Sequence, residues 1–183
     1  MTDKPNILMS TDAVDQSSAG KVLETLTWQE VGRVRFSVLF WKVYDSRLLT
    51  LTGDYDEDSY PKQLEITYLR DIDKQDLVDN TEKQWQHLNY SAEQYQEYLP
   101  WLAEVWPDIK KGQQLSIVVD QDTSQFYFNG QAIGSARSRV FGDMFLAIWL
   151  SPNTSEPKLR AELIGQPTKS ASKARSTNKG ASE

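Results

Sequence analysis

LSIVVDQDTSQFYFNGQAI, residues 115–133, holds two strand-like runs, Leu115–Asp120 and Gln125–Phe128, then Asn129-Gly130 and a third run through Ile133. Val, Ile, Tyr and Phe suit the pleated, half-buried surface of a strand. Asn-Gly accepts the positive φ angles of a two-residue hairpin turn, so the runs on either side of it must pair antiparallel.

The same periodicities extend in both directions. Lys21–Trp28 alternates, and the chain through Leu51 is rich in β-branched and aromatic residues, with Gly53-Asp54 as a turn and Leu64–Leu69 as a further strand after Pro61. A helix is expected from Asp73, which suits an N-cap, with Ile72 and Leu77 as a hydrophobic staple. Its inward face is Leu77, Thr81, Trp85 and Leu88. Ser91–Gln94 is a capping box, followed at helical spacing by Tyr95, Leu99, Leu102 and Trp106, and Pro100 must break or kink that segment. Val140, Met144, Phe145 and Ile148 predict another amphipathic helix. Ser151-Pro152-Asn153 ends it, Thr154 or Ser155 caps a last helix, and Gly165 terminates that one. Strands and helices in blocks, with hairpins, predict an α+β fold: a mainly antiparallel sheet covered by helices.

The 183 residues suffice for one domain with a full core, expected over 21–167. Residues 1–20 read as a flexible N-terminal arm and 168–183 as a disordered basic tail, four cations against one acid. A net charge of −6 argues against a nucleic-acid partner. With no cysteine and one histidine, disulfides, thiol catalysis and multi-histidine metal sites are excluded, and no cofactor is expected. No apolar run approaches the ~20 residues of a membrane span. No leader is visible, which reads as cytoplasmic, or as periplasmic if a leader has been removed. The oligomeric state is not readable.

Asp54–Asp58 with Glu65 superficially matches a calcium loop, but Ser59 stands where glycine is needed and Pro61 where a helix should start, so a solvated turn is expected. His87, near a helix end, has no nucleophile motif around it. The stretch VGRVRFSVLFWKVY, residues 31–44, sets Arg33, Arg35 and Lys42 among large apolar side chains. As one strand it is apolar on both faces and should be covered on both for part of its length. Arg35 either snorkels to water or, if buried, must meet an acid or an anionic ligand.

YLRDI (68–72), PWL (100–102), WPDIKKG (106–112), FYFNG (126–130) and FLAIWLSPNTSEPKLR (145–160), in this order, resemble the bacterial branch of the chalcone-isomerase-like family. The resemblance implies an open-faced β-sandwich with a ligand cleft between a large sheet and its helices. The plant members cyclise chalcones without a cofactor, and non-enzymatic relatives bind fatty acids through an Arg and a Tyr. By that resemblance Arg35 is the arginine facing the ligand's anionic oxygen, Tyr44 its hydroxyl partner, and Thr154 a residue lining the cleft.

Leu77 and Gln84 stand where the plant enzyme has its helical Tyr and Asn, so most of the isomerase network is missing. The resemblance therefore implies a non-catalytic protein binding a small amphipathic molecule such as a fatty acid. Two alternatives stay open: an interaction domain whose cleft is plugged by Trp41 or Trp85, and an intramolecular lyase (isomerase) with Arg35 and Tyr44 as catalytic groups. Arg35 and Tyr44 are nine residues apart, so they share a face only if a turn or bulge lies between them.

Overall fold

A computed structural model describes residues 9–10 and 26–166. The expected tail, and the arm apart from Met9–Ser10, lie outside the described residues. So does the first part of the expected strand Lys21–Trp28; Leu26–Trp28 is described and is not strand, which begins only at Gln29.

In chain order the elements are β1 (Met9–Ser10), β2 (Gln29–Val38), β3 (Trp41–Thr50), β4 (Lys62–Tyr68), α1 (Lys74–His87), α2 (Ala92–Tyr95), α3 (Tyr98–Val105), β5 (Gln114–Val119), β6 (Ser124–Phe128), β7 (Gln131–Ala136), α4 (Arg139–Leu150) and α5 (Pro157–Leu163). They form one open sheet in the order β1-β7-β6-β5-β4-β3-β2, with every pairing antiparallel. This is the α+β architecture expected: six substantial strands with a two-residue addition at one edge, and helices laid across the sheet.

Local chemistry fixes most boundaries. Asp73 is the N-cap of α1 and Ser91–Gln94 forms a complete capping box before α2. Asn129 and Gly130 both take positive φ, 49° and 80°, as their hairpin requires. The interruption attributed to Pro100 lies upstream of it, between Tyr95 and Tyr98, and Pro100 itself sits in the first turn of α3. That placement is natural, because first-turn N–H groups have no intrahelical acceptor to lose.

Leu64, Ile66 and Tyr68 of β4 point inward while Gln63, Glu65 and Thr67 point out, so β4 has one apolar face. Against the inner face packs an aromatic core in which Phe126 meets Phe145 edge-on at 5.1 Å and Trp101 meets Phe141 at 5.3 Å. Trp85 is fully buried there, its Nε1 donating to the Met144 carbonyl at 2.9 Å.

Some expectations are corrected. Val140 is exposed, because the inward stripe of α4 runs through Phe141, Phe145 and Ile148 instead. The last helix is capped by Glu156 with Pro157 at its start, not by Thr154 or Ser155. Residues 31–44 are not one strand covered on both faces: β2 ends at Val38, the chain reverses at Leu39-Phe40, and β3 leaves again from Trp41. Leu39 sits at φ 54°, so the reversal is made without glycine, asparagine or proline.

Candidate functional site

Between the inner sheet face and the helices lies a cavity of about 420 Å³, open to solvent on one side. Its walls are mainly apolar: Phe36 from β2, Ile66 from β4, Leu77 from α1, Ile148 from α4 and Leu159 from α5. A volume in this range, apolar with a few polar groups, is what small-molecule sites look like.

Polar groups gather on part of the lining, with Arg70, Asp76, Gln84, Glu156 and Arg160 beside the aromatic side chains. Tyr44 stacks on Phe36 at 5.0 Å and meets Tyr68 edge-on at 6.1 Å. Its hydroxyl oxygen accepts a hydrogen bond from Trp149 Nε1 at 3.1 Å, and the O–H finds no acceptor among the described residues. Burial pushes the Tyr44 phenol up to about 12, opposed by the Trp149 hydrogen bond and reinforced by the charge of Glu156. Tyr68, deeper in the same wall, is raised by burial first and then by Tyr44, with no hydrogen bond from a described residue. Trp106 also lines the cavity, and its buried Nε1 has no partner among the described residues. Tyr44 and Tyr68 therefore stay protonated at neutral pH. The two phenols offer hydrogen-bond donors rather than bases, while the carboxylates of Asp71, Asp76 and Glu156 also border the cavity.

Thr154 lies at the cavity, but its hydroxyl is committed. It donates to the Ile148 carbonyl at 2.6 Å and so ties the following loop to the end of α4. Gln84 faces the cavity from α1, its Oε1 accepting from Ser155 Oγ at 2.9 Å. His87 is outside, its Nε2 at 3.2 Å from the Asn153 carbonyl oxygen. Among the described residues no cluster of His, Cys, Asp and Glu could hold a metal.

Arg35 is not brought to this cavity. It lies on the outer sheet face in a two-pronged pair with Asp45, Nε to Oδ1 at 2.6 Å and Nη2 to Oδ2 at 2.7 Å. Arg33 with Glu30 and Arg47 with Glu65 continue the same outer row of charges across β2, β3 and β4. The physical reason is one residue. A regular two-residue hairpin would continue the pairing Val38–Trp41 and Ser37–Lys42 to Arg35 opposite Tyr44. Instead the register shifts between Ser37 and Phe36, leaving Val43 as an extra residue; Phe36 pairs with Tyr44 and Arg35 with Asp45. A one-residue slip exchanges faces, and here it sends Tyr44 inward and Arg35 outward.

Two cations line the cavity, Arg70, exposed just past β4, and Arg160, and sequence reasoning missed both; Arg160 is the more enclosed. It is half-buried on α5, its Nε donates to the Leu150 carbonyl at 2.6 Å, and none of the ion pairs among the described residues includes it. The only signal for it in the sequence is its place one helical turn beyond Glu156-Pro157, which start α5. Neither Trp41, exposed, nor Trp85, buried elsewhere in the core, plugs the cleft.

Comparison with known proteins agrees with this architecture. The model of the chalcone isomerase-like family matches residues 23–165. A Haemophilus influenzae protein described as uncharacterized is 26% identical over 139 residues, 76% of this chain and 69% of its own length. The crystal structure of a fatty-acid binding protein from Arabidopsis thaliana superposes with a TM-score of 0.57 at 10% identity, over 76% of this chain and 85% of that one, a likeness of fold alone. The sheet, the helices laid on one face of it and a match spanning most of the residues give one conclusion: this chain belongs to the chalcone isomerase-like family.

Proposed function

We propose that this chain binds a small amphipathic molecule, with a fatty acid as the representative ligand, in the cavity between sheet and helices. The observation that carries the reading is the Tyr44 hydroxyl, set in an apolar cavity with its proton free to donate. An acyl chain would lie against Phe36, Ile66, Leu77 and Ile148, and its carboxylate would accept from Tyr44, with Arg160 and Arg70 as cations on the same cavity. A donor whose pKa lies near 12 does not lose its proton to such a ligand, so the hydrogen bond survives at any physiological pH. The fatty-acid binding neighbour supports the reading by fold-level analogy.

An intramolecular lyase that uses Arg35 as electrophile gains no support, because that guanidinium is occupied by Asp45 on the other face. Native mass spectrometry of the purified chain, with extraction of any co-purifying acid, tests the proposal. A fatty acid released on denaturation, and a Tm raised by added palmitate, are expected. Neither being seen would remove the reading.

A further inference from the structure

The β2–β3 hairpin ends in a run of exposed apolar residues of which only Val38 also borders the cavity. Val38 is 50% exposed, Leu39 87%, Phe40 99% and Trp41 72%, and these are four of the five large hydrophobic residues exposed among those described. Four consecutive exposed apolar side chains are costly in water and invite aggregation unless something covers them. Leu39 also holds φ at 54°, a region that a branched side chain enters at a cost and that asparagine or glycine would occupy more easily. The tip is thus unfavourable twice over, in solvation and in backbone.

We infer that this tip docks into the interface of a lipid bilayer. Three features choose that occupant over a second copy of the chain. The tip is narrow: Phe40 and Trp41 together offer on the order of 350 Å² of apolar surface. Even with Leu39 and half of Val38, this stays short of the roughly 800 Å² per partner of a stable protein–protein interface. The charge fits as well. From Val31 to Tyr44 there are three cations and no acid, in a chain of net charge −6. Arg33 and Arg35 are paired with Glu30 and Asp45, which leaves exposed Lys42, next to Trp41, as the free charge of the tip. Trp beside Lys is the pairing that settles at the headgroup boundary, ring in the acyl margin and ammonium in the headgroups. Finally, the tip is continuous with the cavity, since Val38 and Val43 line it. A bilayer against the tip would meet the apolar lining directly.

The docking stands on the tip and not on the identity of the cavity's ligand, and the two are tested separately. The full chain is sedimented with phosphatidylcholine vesicles and with mixed phosphatidylcholine–phosphatidylglycerol vesicles. Wild type is expected to sediment with both, about fivefold more tightly with the anionic mixture for the single free lysine. Trp41 should be quenched by lipids brominated on the acyl chain. Leu39→Asn/Phe40→Ser, both outside the cavity lining, is expected to lose vesicle affinity at least about tenfold. The same variant should keep its palmitate affinity and show a Tm no lower than wild type, because asparagine relieves the backbone at position 39. Wild type staying in the supernatant with both vesicles would overturn the inference, as would a variant that sediments equally well. A wild-type dimer that Phe40→Ser dissolves would overturn it too, by giving the tip to a second copy. Loss of palmitate binding with vesicle binding intact would instead count against the cavity reading alone.

Discussion

Tyr44 and Arg35 are neighbours across one hairpin, and a single extra residue, Val43, decides which of them faces the cavity. Both were visible in the sequence as polar groups in an apolar stretch, and the need for a bend between them was visible too. The bend is there and alone would have set them on one face, but the bulge that follows it, which no residue type announces, parts them again. Arg35→Ala is therefore expected to leave palmitate affinity unchanged, as measured by fluorescence displacement, since the guanidinium only neutralises Asp45 on the outer face. Tyr44 carries a pH signature. Its folded-state pKa is raised from 10.0 to about 12, so the stability it contributes is complete below pH 10 and is lost as pH climbs toward 12. Thermal unfolding across that window should fall less steeply for Tyr44→Phe than for wild type. An identical slope would place the strain of alkaline pH on Tyr68 and the other buried phenols.

At the scale of elements, what was legible was what is written locally. The capping box of Ser91–Gln94 and the Asn129-Gly130 turn each involve a few adjacent residues whose chemistry permits little else. The Leu39-Phe40 reversal was not legible because neither residue favours a turn, and it is held by pairing of the flanking strands. Thr154 was misassigned as a helix cap for a similar reason: its hydroxyl closes the end of α4, a tertiary choice that spacing cannot reveal. Gly32 shows the opposite case, a position that tertiary contact leaves to glycine. A Cβ there would press on the Glu162 carbonyl oxygen and lie 2.7 Å from that of Leu163, where α5 crosses β2. Gly32→Ala is expected to destabilise the chain by about 1–3 kcal/mol in urea unfolding, since backbone on both sides must move apart. A cost below a few tenths would mean that α5 is not firmly seated on the sheet.

For the molecule as a whole, antiparallel pairing and an aromatic core leave a cavity where α1, α4 and α5 stand off the sheet. The fold class followed from the order of strand and helix patterns. The cavity did not, because its existence depends on how far apart packed elements sit, and no periodicity encodes that. Arg160 went unnoticed for the same reason, lying far in sequence from Tyr44 and joining it at the cavity only through the fold. Ligand occupancy should feed back on global stability: at a hundredfold excess over Kd, a ligand specific for the folded state adds about 2.7 kcal/mol. The proposed binding of an amphipathic acid through Tyr44 bears on the cavity as a whole. Isothermal titration of palmitate into wild type, Tyr44→Phe and Arg35→Ala tests it most directly. One saturable site is expected, weakened about tenfold to a hundredfold by Tyr44→Phe and unchanged by Arg35→Ala. No saturable heat in wild type, or an affinity lost with Arg35 and kept without the Tyr44 hydroxyl, would contradict it.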